Sequence, residues 1–231
     1  MSGYRRWVRL EDLTWPDVEA QPPVLVIPVG SCEQHGPHLP LGTDTMIAEA
    51  LAGRLVARRP ANALAPPLTV TASGEHAGFP GTLSVGTAVV EAMVVELVRS
   101  ADWSGGVVLV NGHGGNRAPV DAAVATLRAE GRDVLAWWPA LDDADAHAGR
   151  TETSIVLELR PDLVRRDRAV AGETAPLQQL MGRMRAGGVA TVSRTGVLGD
   201  PTGATSAEGR AILDALTDDL VSSFDRWTAS R

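Results

Sequence analysis

The chain contains no lysine, and all 21 of its basic residues are arginine. That absence excludes a Schiff-base lysine mechanism and the Gly-x-x-x-x-Gly-Lys phosphate loop. One cysteine, Cys32, excludes an internal disulfide. Lying next to Glu33, it reads as a small buried residue packed behind that segment. No apolar stretch approaches the roughly 20 residues needed to cross a bilayer, so no membrane is expected as a partner. Positive charge is also scarce: the net charge is −7 and there is no basic run, which argues against a nucleic-acid partner. The opening residues Met1–Trp7 lack the apolar core of a signal peptide, so a cytoplasmic protein is expected. What is present is ordinary for a soluble globular protein, with 44% hydrophobic and 21% charged residues. At 231 residues the chain can bury one sizeable core, and a single domain over 1–231 is the expectation.

Short apolar runs alternate with helical patterns, which predicts an α/β fold: a mostly parallel central sheet covered by helices in three αβα layers. Residues 24–30 read as a buried strand despite Pro28, and a helix is expected over about 45–59. A second strand is expected near 63–70, then an apolar helix to about Arg99 with Thr87 as its N-cap. The β-branched run 106–111 is a strand, and the tight turn Gly112-His113-Gly114-Gly115-Asn116 follows it. The next helix places Val120, Ala123, Val124 and Leu127 on one face. Another strand covers 133–138, a polar loop 139–150, and the segment from Thr151 is apolar over 155–159. Residues 187–204, rich in Gly and Thr, read as an extended excursion or loop. A final helix over about 206–227 turns Ile212, Leu213, Leu216, Leu220 and Phe224 inward.

Open α/β sheets bind ligands where loops converge at the carboxyl ends of their strands. Glu33, His35 and Asp44 follow the first strand, His113 follows the strand ending at Asn111, and His147 and Glu152 follow the strand ending near Trp138. Four of the five histidines lie in these three loops. Singly, each motif has a plainer reading. Glu33-x-His35 could be a surface pair, Gly112–Asn116 a turn or an anion-binding loop, and His38 a loop residue. Glu75-His76 could line a pocket or be solvated, and Trp137-Trp138 reads as core packing. Together they suggest a metal centre with ligands Glu33, His35, Asp44, His113 and Glu152. Imidazole and carboxylate without thiolate suit Zn²⁺, Fe²⁺ or Mn²⁺. Two divalent ions carry four positive charges against three from the carboxylates, leaving room for one bridging hydroxide. Such a pair, roughly 3.5–4 Å apart, acidifies water and polarises a carbonyl.

Four stretches taken in order resemble the creatininase family: Gly30–Pro40 with Thr43-Asp44, His76–Thr82, Asn111–Asn116, and His147–Ser154. The resemblance spans about residues 20–165. It implies a dinuclear metal amidohydrolase in which Glu33, His35, Asp44 and His113 are ligands and the aspartate bridges. True creatininases carry a ligand glutamate two positions after the Asn-Gly-His histidine, where this chain has Gly115. The missing carboxylate is therefore expected from Glu152, and the expected substrate moves away from creatinine. Within the family the wording is closest to the mycofactocin-associated branch, peptidases that release a modified Val-Tyr-derived C-terminal dipeptide from a precursor peptide. A small-molecule amidohydrolase acting on a formamide or cyclic amide is the alternative, and a member using metal only for structure is a third. On this reading His147 moves the proton to the leaving nitrogen. His76, Gly114 and Gly115 contact substrate, the glycines through backbone N–H groups near a developing oxyanion. The resemblance also implies a homo-oligomer, with six chains as a candidate arrangement.

Overall fold

The computed structural model describes residues 8–141 and 145–231. The first seven residues, and residues 142–144 of the expected polar loop, lie outside them. The elements run α1 (Trp15–Ala20), β1 (Leu25–Val29), α2 (Thr43–Arg58), β2 (Ala63–Leu64), α3 (Thr87–Ser100), β3 (Val107–Asn111), α4 (Arg117–Ala129), β4 (Val134–Trp137), α5 (Arg150–Leu159), α6 (Leu177–Gly187) and α7 (Ser206–Ala229). The strands form one parallel sheet in the order β2-β1-β3-β4. β1 and β3 are buried throughout, as two covered faces require.

Alternation along the strands sorts the core into two layers. Leu25, Ile27, Val29, Val107 and Leu109 pack with Val90, Val94 and Val98 of α3 and with the predicted Val120, Ala123, Val124 and Leu127 of α4. Val26, Val108 and Val110 face the other way, onto α2, α5 and α7. This is the three-layer αβα arrangement. Ile212 is half-buried at the margin, while Leu213, Leu216, Leu220 and Phe224 are buried as expected.

Pro28 is accommodated because the carbonyls of Val24, Val26 and Pro28 all address the β2 side, accepting from Ala63, Ala65 and Leu68. The N–H it lacks would point the same way, where β2 has already stopped at Leu64. The same stop corrects the strand expected over 63–70: Pro66 and Pro67 swing the chain out, and only a bridge from Leu68 to Val29 resumes the pairing. Thr87 is not the N-cap of α3. Gly86, at φ 81, holds that position, and Thr87 is the first helical residue. Residues 187–204 are largely a loop, as expected, with two short 3-10 turns in it, Val189–Thr191 and Pro201–Gly203.

α6 was not anticipated. Its signal is present, since Leu177, Leu180, Met181 and Met184 stand at i, i+3, i+4 and i+7. Only Leu180 of α6 is buried, because the rest of that face borders a cavity.

α5 and α7 approach backbone to backbone at Gly209. A Cβ on Gly209 would overlap the Ser154 carbonyl of α5, and both partners are backbone. Gly209→Ala is therefore expected to cost about 3 kcal/mol, the upper part of the overpacking range. A denaturant midpoint unchanged from wild type would show that α7 can shift.

Candidate metal centre

Every expected site residue described above lies at the carboxyl end of the sheet. β1 leads into Glu33 and His35, β3 into His113, and β4 by way of the loop into His147 and α5, which carries Glu152. Asp44 sits in the first turn of α2, where the helix dipole favours a carboxylate. That turn lies close against β3's end: a Cβ on Gly112 would stand 2.5 Å from the Asp44 carbonyl oxygen. The two asparagines of the turn frame it. Asn111 Nδ2 donates to the His113 carbonyl (2.7 Å), and Asn116 Nδ2 donates to the Gly30 carbonyl (3.0 Å).

Asp44 is central. Its Oδ1 lies 2.9 Å from His35 Nε2, and its Oδ2 lies 3.1 Å from His113 Nδ1. Ser31 Oγ donates to Oδ2 as well (2.7 Å). Each imidazole is oriented from behind. His35 Nδ1 donates to the Glu33 carbonyl (3.1 Å), His113 Nε2 to the Ala72 carbonyl (2.8 Å), and His147 Nε2 to the Gln34 carbonyl (2.8 Å). These bonds assign the tautomers and leave His35 Nε2, His113 Nδ1 and His147 Nδ1 as lone pairs facing the carboxylates.

Glu33 is fully buried, yet neither carboxylate oxygen has a hydrogen-bond partner. His76 Nε2 lies 3.3 Å from Oε1, and His113 Nε2 lies 3.2 Å from Oε2. Glu152, on the far side, stands 3.9 Å from His35 Nε2 and accepts from the Ala148 N–H (2.6 Å). Three overlapping groups result, each with ligand atoms within 4.8 Å of one another: Glu33–Asp44–His113, His35–Asp44–Glu152, and Glu33–His35–His147.

The electrostatics show what the cluster lacks. Burial opposes protonation of His35, but Asp44, Glu152 and Glu33 outweigh it and raise its pKa to about 10. His113 is likewise raised well above its ordinary value, burial being overcome by Asp44 and Glu33. Burial pushes Glu152 up to about 7, with Asp44 adding to it and His35 opposing. Burial and the nearby Asp44 raise Glu33 also. The remaining histidines go the other way. Burial, helped by His113 and His35, lowers His76 to about 3, and burial with His35 and His76 holds His147 well below its usual range. A pocket that drives protons onto two buried imidazoles is demanding positive charge, which divalent cations answer with better geometry. The orphaned Glu33 oxygens and the oxygen–nitrogen donor set fit such ions.

The other predicted residues are placed as follows. Gly114 and Gly115 line a cavity of about 430 Å³ that opens onto Glu33, His113 and His147. His76 reaches the same cavity but is buried among Glu33 and His147. His38 is outside the cluster; its Nε2 meets Thr153 Oγ1 on α5 (2.9 Å). Cys32 is half-buried rather than buried; its Sγ points at the Gly81 carbonyl (3.8 Å) across a bridge to Leu83. Trp137 is core, and Trp138 is half-buried under the Arg117 guanidinium.

The sequence pattern does not single out Gln34. Its amide nitrogen donates to His76 Nδ1 (2.8 Å) and to the Gly196 carbonyl (3.2 Å), and its backbone carbonyl accepts from His147 Nε2 (2.8 Å), so it ties three distant segments together. The 187–204 excursion has a purpose here too. Leu198 donates to the His147 carbonyl (2.8 Å) and accepts from Ala146 and His147, pinning the loop that carries His147.

Comparison with known proteins agrees with this geometry. A family model described as creatininase, creatinine amidohydrolase, matches residues 11–224. The mycofactocin precursor peptide peptidase of Mycolicibacterium smegmatis is 51% identical, covering 100% of this chain and 97% of its own length. The protein of that name from Mycobacterium tuberculosis is 49% identical, with 98% and 96% covered. A creatinine amidohydrolase from Pseudomonas putida is 32% identical over 69% of this chain and 74% of its own. Among solved structures, a creatinine amidohydrolase (creatininase) superposes with a TM-score of 0.79 at 26% identity, over 96% of this chain and 98% of that one.

Proposed function

The chain belongs to the creatininase family, and from that premise we propose that it is a peptidase acting on a modified precursor peptide. The product would be the C-terminal Val-Tyr-derived dipeptide of mycofactocin maturation. That it is a metal-dependent hydrolase of amide or peptide bonds follows from its family and its clustered ligands. The choice of peptide rests on one observation: near-full-length identity of about half to peptidases of that name, against a third over a shorter span to a creatinine amidohydrolase. The cavity is compatible, because α6 sets Met181 and Met184 beside the ligand cluster as an apolar wall.

In this reading Glu33, Asp44 and His113 would hold one divalent ion, and His35, Asp44 and Glu152 the other. The pair supplies an acidified water and a Lewis acid for the amide carbonyl. Zinc, iron and manganese all suit these ligands. His147 presents Nδ1 to the reacting atoms, because its Nε2–H is committed to the Gln34 carbonyl. Kept neutral by burial, that nitrogen can take a proton from the attacking water and deliver it to the leaving amide nitrogen. Gly114, with open space where a side chain would stand, leaves the cavity floor free for the backbone of a peptide. A cytoplasmic homo-oligomer, with a hexamer as its candidate form, completes the proposal.

The test is incubation with the modified precursor peptide, read by mass spectrometry. Release of the C-terminal modified dipeptide is the expected result. Turnover of formamides or cyclic amides with the peptide left intact would select the small-molecule reading. His147 lies also in a group with Glu33 and His35, so its role needs its own measurement. His147→Ala should keep two ions and lose roughly 10²–10⁴-fold in turnover, the usual range for a general acid–base group. Loss of an ion instead would make His147 a ligand.

A further inference from the structure

We propose that Glu75 is a positioning residue for the ion site of Glu33, Asp44 and His113, and that glycine at 115 is required to admit its carboxylate. The proposal rests on the two-ion reading above. A Cβ on Gly115 would overlap both Glu75 Oε1 and His113 Nε2, and would stand 2.6 Å from the Ala72 carbonyl oxygen. Two acceptors and one imidazole nitrogen therefore converge on the volume that any side chain at 115 would fill.

The consequence falls on His113. Its Nε2–H is held by the Ala72 carbonyl (2.8 Å), and Glu75 Oε1 stands 3.6 Å from the same nitrogen. A carboxylate there adds negative charge behind the ring, making Nδ1 a stronger donor toward the ion on Asp44's side. Glu75 has no arginine partner among the described residues; the His113 ring is the basic group it faces. Its backbone is fixed, since Gly188 (φ +75) packs so closely that a Cβ there would come within 2.7 Å of the Glu75 carbonyl.

Glu75 and His76 share one 3-10 turn, Gly74–His76. His76 reaches Glu33 Oε1 (3.3 Å) while Glu75 reaches His113, so one turn braces two ligands of one ion from outside. Glu33, fully buried with both oxygens unpartnered, is the side chain that aims into this site. The Glu75 side chain itself is 31% exposed, on the cavity side.

The experiment measures zinc stoichiometry and stepwise affinity by chelator competition on the full chain, with far-UV circular dichroism as a check on folding. Wild type should hold two ions. Glu75→Gln should keep one and bind the second roughly 10–100-fold more weakly, the usual cost of losing a group behind a ligand histidine. Glu75→Asp should recover most of that loss. Gly115→Ala keeps the carboxylate but fills its space, and should show the same selective weakening. Two ions bound by Glu75→Gln with wild-type affinity would overturn the proposal, and a raised KM in that variant would make Glu75 a substrate contact. A wild-type chain holding fewer than two ions would instead overturn the two-ion reading, and this proposal with it.

Discussion

Asp44→Asn is expected to lose at least one ion and to cut turnover on the modified peptide by roughly 10³-fold, equivalent to about 4 kcal/mol of barrier. Asp44 is shared by the two groups assigned here to the two ions, and its two oxygens face different imidazoles, His35 and His113. An asparagine keeps one oxygen and replaces the other with an N–H₂ donor. Whichever way the amide turns, one lone-pair nitrogen then meets a donor where it met a ligand oxygen. The site also loses one unit of negative charge, which weakens attraction for both cations. Elemental analysis and steady-state kinetics on the same preparation check this. Two ions retained with turnover within tenfold of wild type would remove Asp44 from the bridging position.

Stability should depend on pH with opposite sign in the metal-stripped and metal-loaded protein. Against burial, His35 is raised to about 10 by Asp44, then Glu152 and Glu33, and His113 well above its ordinary value by Asp44 and Glu33. A group whose folded pKa exceeds its unfolded one binds more protons when folded. Its contribution is fully present below about 6.5, the unfolded value, and is lost as pH rises toward the folded pKa. Glu152, raised to about 7 by burial, works in the same direction at the lower edge of that window. His38, His76 and His147 are depressed and act oppositely, but only below about 6.5. Between about pH 6.5 and 10 the stripped protein should therefore lose stability, by at most about 1.4 kcal/mol per pH unit for each raised imidazole. With metal the slope reverses over the lower part of that range, because ligands must shed protons to bind and apparent affinity climbs with pH. Thermal melts of both forms at pH 6.5, 7.5 and 8.5 measure it. Parallel slopes would mean that the imidazoles carrying the extra protons are not the ones that bind the ions.

Local pattern carried far in this chain. The β-branched run before Asn111 and the i, i+3, i+4, i+7 face of α4 are backbone and burial rules written over a few residues, and both hold. The same kind of rule marks Leu177, Leu180, Met181 and Met184, but that face looks into a cavity and ends in the 187–204 excursion, so α6 was missed. Thr87 failed as a cap because Gly86 at positive φ enters the helix differently, which residue type alone does not reveal. Gln34 carries no local signal because its three partners, His76, His147 and the Gly196 carbonyl, are far apart in sequence.

The absence of lysine and of paired cysteines, with histidines gathered in three loops, determined by sequence alone that the chemistry would rest on imidazole and carboxylate. Strand-end placement of those loops determined that they would meet, and they do. Tertiary structure alone decided which nitrogen of each histidine faces the carboxylates, since backbone carbonyls of Glu33, Ala72 and Gln34 select it from behind. It decided too that the space above Gly115 belongs to Glu75, from a turn about forty residues earlier. Ligand chemistry is a property of residue type and can be read one position at a time. The direction of a lone pair and the owner of a small volume depend on chain segments that meet only when the sheet and its helices close.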